Sequence, residues 1–309
     1  MWVFLGVLIL AALVAILVMS LPWILFHFLF YRPKRSTKIP KSYVDTPHYK
    51  VSRAGMALIK TLPCEDVYIT SRDGLKLHAY LFPAEQPGNK FVIGVHGYKS
   101  YSRPEYGPYI EFYRQQGYSM LLPDDRAHAP SEGKYIGFGV LDRLDCVDWA
   151  KYLVERFGEG VEIRLHGVSM GAATVVAASG EDDLPPQVRS TVSDCGFTSA
   201  WDVLRYQLTE TAHLPADKLL PKIEKVCKRR AGFGFYEYSA LEQVKKARVP
   251  ILFVQGGKDQ MVPPWMVQEL YDACPTQKDL LLVEEAAHGE SIAFAPEEYH
   301  KKILELFAL

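Results

Sequence analysis

The chain has 309 residues, with 35 Lys and Arg against 36 Asp and Glu and a formal net charge of −1. That length suits one large α/β domain with an insertion, and the balanced charge offers no basic surface for nucleic acid, so no nucleic-acid partner is expected. Five widely separated cysteines (Cys64, Cys146, Cys195, Cys227, Cys274) contain no C-x-x-C and no Cys/His cluster, so no metal site is expected; free thiols of this kind suit a reducing compartment.

The first 31 residues read as a transmembrane anchor. From Trp2 to Phe30 there is no charged side chain, and only Gly6, Ser20, Pro22 and His27 interrupt the apolar run. About 20 residues suffice to cross a bilayer. A cleaved signal peptide is the rival, but the basic start and small-residue cleavage site that one needs are missing. Arg32, Lys34, Arg35, Lys38 and Lys41 follow the run. The positive-inside rule then predicts a single-pass protein of the cell membrane, with the rest of the chain cytoplasmic. Residues 32–60 read as a juxtamembrane linker with a short helix around Ser52 to Thr61, and residues 61–309 as the globular domain.

Val67 to Thr70 and Leu75 to Phe82 flank Ser71-Arg72-Asp73-Gly74, the pattern of two antiparallel strands joined by a tight turn. After Phe91 strand and helix patterns alternate. Strands are expected at Phe91–Val95, Tyr118–Leu122, Val161–Leu165, Val188, Ile251–Gln255 and Leu280–Val283. An amphipathic helix is expected from Val140 to Phe157. Such alternation predicts a mostly parallel sheet covered by helices on both faces, with its site at the carboxyl ends of the strands. Residues 197–238 break the alternation and read as a helical cap insertion. Its Lys222, Lys225, Lys228, Arg229 and Arg230 read as a solvated face or as attraction to an anionic partner. Its aromatics Phe233, Phe235, Tyr236 and Tyr238 read as pocket lining or as packing.

Gly167-Val168-Ser169-Met170-Gly171 lies between the strand ending at Leu165 and a small-residue helix from Ala172 to Ser179. That is the strand–turn–helix context that exposes a nucleophilic serine. A serine needs a base, and the base needs an orienting acid, in the chain order Ser, Asp, His. Asp259 follows the strand that ends at Gln255, and His288 follows the strand that ends at Val283, so these two take the acid and base roles. Asp194, after the strand at Val188, is the alternative acid. The oxyanion donors are expected to be the backbone N–H of Met170 and of Tyr98, in the loop after Val95, with the His96 side chain bracing that loop. His166 is expected to pack beneath the turn.

Four separated segments now coincide: His96-Gly97-Tyr98, Gly167 to Gly171, Gly257-Lys258-Asp259 with Val262-Pro263, and Ala287-His288-Gly289. Together they resemble the signature set of the α/β-hydrolase superfamily. A fifth, Pro123 to Gly133, resembles the D-x-R-G-H-G-x-S-x-G loop of its esterase, monoacylglycerol-lipase and serine-aminopeptidase-like branch. The likeness covers roughly residues 60 to 309 and is greatest to membrane-anchored bacterial serine hydrolases. It implies an α/β-hydrolase fold with a small helical cap, no cofactor, and a small-molecule or lipid ester substrate. Serine peptidase and thioesterase activities use the same groups, and a non-catalytic binding protein on this fold is a further alternative. The chain departs from the pattern at Arg126-Ala127-His128-Ala129, where two alanines replace glycines that tolerate positive φ. His128 is read as structural.

Overall fold

Runs of β-branched and aliphatic residues bounded by Gly, Pro and Asp become eight strands: β1 (Glu65–Thr70), β2 (Lys76–Phe82), β3 (Lys90–Val95), β4 (Ser119–Asp124), β5 (Glu162–Val168), β6 (Val188–Asp194), β7 (Ile251–Gly256) and β8 (Lys278–Val283). In this computed structural model, which describes residues 2–32, 46–128 and 130–309, they form one sheet in the order β1-β2-β4-β3-β5-β6-β7-β8. β1 pairs antiparallel with β2, and β2 antiparallel with β4; all later pairings are parallel. The β1–β2 turn closes with Gly74 at φ 87°, where a glycine carries no Cβ penalty. β7 is buried along its whole length, as a central parallel strand covered on both faces must be.

The helices between strands are α3 (Ser102–Gln115), α4 (Asp142–Phe157), α5 (Met170–Ala178), α6 (Ala200–Tyr206), α7 (Ala216–Ala231), α8 (Ala240–Val244) and α9 (Pro264–Ala273); α10 (Ser291–Phe294) and α11 (Pro296–Phe307) follow β8, and α1 (Trp2–Phe30) and α2 (Pro47–Ile59) precede the sheet. Every residue of α5 is buried; its Gly, Ala, Thr and Val side chains are small enough to lie inside the domain. The insertion consists of α6, a π-helical turn at Gln207–Thr211, and α7. α7 turns Leu219, Leu220, Ile223 and Cys227 inward, and the basic residues Lys222, Lys225, Lys228, Arg229 and Arg230 outward. This is an α/β-hydrolase fold with a helical cap.

Where a short helix around Ser52 to Thr61 is expected within the linker, a longer one spans Pro47–Ile59; it is capped by Thr46, whose hydroxyl accepts from the Tyr49 N–H at 3.1 Å. Gly55 lies so close to Gly107 of α3 that a Cβ there would sit 2.1 Å from the Gly107 carbonyl. Lys34, Arg35, Lys38 and Lys41 lie outside the described residues.

The single-pass anchor with a cytoplasmic domain requires correction. Among the described residues no helix is long and apolar enough to cross a membrane. α1 has 29 residues, but its last turns are committed to the domain. Pro22, Phe26 and Phe30 are buried at i, i+4 and i+8. The Phe30 ring packs tilted against Phe138 (5.0 Å) and Phe235 (5.2 Å), and its carbonyl accepts from the Ile136 N–H at 2.7 Å. Arg32 then reaches the Ser131 carbonyl at 2.7 Å. Phe233 and Phe235 therefore pack the cap against α1.

Candidate active site

β3 and β5 are neighbours, with Val95 opposite Gly167, so the loop after β3 emerges beside the turn after β5. Ser169 sits at that turn with φ 58° and ψ −115°. A non-glycine residue there is strained by about 1–3 kcal/mol. Two bonds hold it: the Ser169 N–H donates to the Asp194 carbonyl at 2.8 Å, and its carbonyl accepts from Ala173 at 3.1 Å. The flanking glycines are needed for space. A Cβ on Gly171 would lie 1.9 Å from the Val95 carbonyl oxygen, and one on Gly167 would lie 2.1 Å from that of Gly171.

β7 and β8 end together, Gly256 opposite Val283, and bring two further side chains to the serine. His288 Nε2 lies 2.8 Å from Ser169 Oγ, and His288 Nδ1 lies 2.7 Å from Asp259 Oδ2. Asp259 is fixed by N–H donors from Met261 (2.8 Å) and Val262 (2.9 Å) to its other oxygen. Gln255 donates to Oδ2 at 3.2 Å. Burial lowers the His288 pKa, but the bond to Asp259 and its charge, with more distant Asp194 and Glu105, raise it overall above the ordinary 6.5.

Asp194 is not brought to His288. Its carboxylate accepts from Tyr299 at 2.9 Å and from Tyr109 at 3.5 Å, and burial pushes its pKa up to about 7. A buried relay stands behind it. Tyr113 bonds His166 Nδ1 at 2.9 Å, and His166 Nε2 bonds Tyr299 at 3.1 Å. Because Tyr299 donates to Asp194, His166 must carry its proton on Nε2. Burial keeps this imidazole neutral, with its pKa lowered to about 3.

The loop carrying Tyr98 is clamped by two histidines. Asp125 N–H donates to His96 Nε2 at 3.1 Å, which leaves Nδ1 to donate to the Gly97 carbonyl at 2.8 Å. His128 Nε2 accepts from the Lys99 N–H at 3.2 Å, and its Nδ1 donates to the Arg126 carbonyl at 3.1 Å. The rings meet edge to face at 4.7 Å. Burial and the neighbouring His96 hold the His128 pKa well below its usual value. Gly97 is pressed against the serine: a Cβ on it would be 3.3 Å from Ser169 Cβ.

Ser169 and His288 open into a cavity of about 440 Å³ walled largely by apolar side chains, within the range of small-ligand sites. The cap contributes Val203, Leu204 and Leu208, and α1 contributes Leu25, Phe28 and Leu29. The sequence reading missed the α1 residues. Its usable signal was the change from the aliphatic stretch Leu5 to Met19 to the aromatic end Trp23, Phe26, Phe28, Phe30. Among the described residues, one group could present three metal-ligating atoms within 4.8 Å: Cys195, Asp259 and His288. Asp259 and His288 already bond each other, and burial holds the Cys195 thiol protonated. The set suits proton transfer better than metal binding.

The sequence profile of the prolyl oligopeptidase family matches residues 138–306, more than half of the chain and the part holding Ser169, Asp259 and His288. The chain belongs to that family. This prolyl oligopeptidase family member is 27% identical over 197 residues to the uncharacterized protein YqkD of Bacillus subtilis (strain 168), covering 64% of each chain. It thus spans just under two thirds of that relative's length. It is also 26% identical over 261 residues to an uncharacterized membrane protein of Saccharomyces cerevisiae, covering 82% of this chain and 79% of the yeast one. Its fold is similar to that of the Pyrococcus furiosus esterase Pf2001, at TM-score 0.65 and 26% identity over 89% of this chain and 98% of the esterase.

Proposed function

We propose that this chain is a serine hydrolase that cleaves carboxylic esters through an acyl-enzyme. The observation that carries the reading is the unbroken line Asp259–His288–Ser169, with spacings of 2.7 and 2.8 Å, ending in an apolar cavity. His288 Nε2 takes the Ser169 proton as Oγ attacks the ester carbonyl. Asp259 orients the ring and stabilises the imidazolium. The N–H groups of Met170, at the start of α5, and of Tyr98, on the clamped loop, stabilise the oxyanion. His288 then protonates the leaving alkoxide, and a water activated by the same nitrogen releases the acid.

Similarity to an esterase over nearly its whole length supports ester cleavage. The family name supports the second reading, hydrolysis of an amide or peptide bond by the same groups. Reaction of the full chain with a fluorophosphonate, followed by mass mapping, tests both through their shared nucleophile. The adduct is expected on Ser169, with Ser169→Ala losing both the adduct and at least about three orders of magnitude in kcat. Ester turnover surviving in Ser169→Ala overturns the proposal. Faster turnover of aminoacyl amides than of matched p-nitrophenyl esters replaces it with the peptidase reading.

A further inference from the structure

We propose that the carboxyl-terminal turns of α1 are a working wall of the substrate site that selects for an apolar acyl chain longer than acetyl. The inference rests on the ester reading for its chemistry. The wall itself rests on separate observations.

The first is position. Leu25, Phe28 and Leu29 line the same cavity as Ser169 and His288, facing Val203, Leu204 and Leu208 of the cap. These six side chains are apolar, so the space beside them favours methylenes; Lys99, Gln207 and Thr211 are the polar members of the same lining. The π-helical turn supplies Gln207, Leu208 and Thr211 to this cavity, and such turns often mark functional sites.

The second is attachment. The end of a helix leaves carbonyls without partners inside it. Here the Leu29 carbonyl accepts from Tyr98 Oη at 2.7 Å, and the Phe28 carbonyl accepts from Lys99 Nζ at 2.7 Å. Tyr98 and Lys99 are the two residues after Gly97, on the loop that presents the proposed oxyanion donor. The Lys99 ammonium also lies 4.7 Å from the Phe28 ring and 4.8 Å from that of Tyr98. The wall that meets the acyl chain and the loop that meets the carbonyl oxygen are thus tied into one unit. On the adjoining face, buried Phe26 and Phe30 hold α1 to the core.

The test uses full-length protein and two readouts. The first is the ratio of kcat/KM for p-nitrophenyl decanoate to that for p-nitrophenyl acetate. Leu25→Trp, which fills the cavity, is expected to lower the ratio at least tenfold, equivalent to about 1.4 kcal/mol. Phe28→Ala, at an exposed position, is expected to lower it about three- to tenfold. Ile24→Trp, on the same helix but outside the cavity lining, is expected to leave it unchanged. The second readout is calorimetric binding of decanoic acid to Ser169→Ala protein, with and without Leu25→Trp or Phe28→Ala; the added substitution should weaken binding by a similar factor. A ratio that stays constant across Leu25→Trp and Phe28→Ala overturns the wall and leaves the ester reading standing. Chain-length-dependent binding without turnover of any ester by the wild type overturns the ester reading and leaves the wall.

Discussion

The phenol of Tyr98 donates a 2.7 Å hydrogen bond to the main-chain carbonyl of Leu29, 69 residues earlier in the chain. One residue thereby joins the end of α1 to the loop beside Ser169. Tyr98→Phe keeps the ring, which packs 4.8 Å from Phe138, but leaves a partly buried carbonyl without its donor. The expected cost is about 1–3 kcal/mol, read as a lower urea midpoint with an unchanged slope. A midpoint equal to that of the wild type would mean that water replaces the phenol and that the tie contributes nothing to stability.

The acid limb of the pH profile follows from His288. In the proposed reaction its Nε2 must be unprotonated to accept the Ser169 proton, and its pKa is held above 6.5. For a neutral ester, kcat/KM of the wild type is therefore expected to rise with pH through an apparent pKa above 6.5. Asp259→Asn removes the bond and charge that raise that pKa most, leaving burial, which lowers it, against the more distant Asp194 and Glu105. The limb should move to lower pH, while kcat falls about 10⁴-fold as the ring loses its orienting partner. An acid limb that stays in place in Asp259→Asn would assign the titration to another group.

Asp194 offers the contrasting case. Burial holds its folded pKa near 7, far above the 3.8 of the free side chain. From about pH 4 to about pH 7 the native state binds more protons at this site than the unfolded chain, so this site makes stability fall as pH rises. Asp194→Asn has no proton to release. Its stability relative to the wild type is expected to increase from pH 4 to pH 7 in urea denaturation, and its ester turnover should stay within about tenfold, because Asp259 still holds His288. A pH-independent difference would overturn the raised pKa of Asp194, and a loss in kcat as large as that of Asp259→Asn would exchange the roles assigned to the two aspartates.

The parts of the fold legible in the sequence are those set by local pattern. Short apolar runs closed by Gly-Lys-Asp or Ala-His-Gly define β7, β8 and the strand-end loops in which Asp259 and His288 sit, and Gly167-x-Ser169-x-Gly171 defines the turn. What was not legible depends on contacts distant in sequence. The uncharged run of α1 has the composition of a lipid-facing helix, and hydropathy does not distinguish lipid from a protein core. Only the placement of Phe30 among Phe138 and Phe235 reveals which solvent its last turns meet. Likewise the pattern favours Asp259 as the acid but does not show what holds Asp194 away from His288. Tyr109 and Tyr299, which bond the Asp194 carboxylate, come from α3 and α11, far apart in the sequence.

Ala127 turns a sequence irregularity into a measurable strain. The resembled loop carries glycine at this position, and the structure places Ala127 at φ 61°, fully buried. The conformation is imposed from both sides. The Ala127 N–H donates to the Glu132 carbonyl at 2.9 Å, and Arg126, its neighbour, is fixed by Asp145 at 2.7 Å and Asp73 at 2.9 Å. Left-handed backbone costs an alanine about 1–2 kcal/mol, whereas glycine avoids that cost at the expense of a floppier unfolded chain. Ala127→Gly is thus expected to stabilise the protein by about 0.5–1 kcal/mol net, seen as a higher urea midpoint. Because His128 follows directly and accepts from the Lys99 N–H, the same substitution is expected to leave kcat for short esters within about twofold, provided the clamp on the oxyanion loop is set by the histidines. A stabilised variant with kcat reduced tenfold or more would show that the strain at Ala127 itself positions His128, and through it the loop that carries Tyr98.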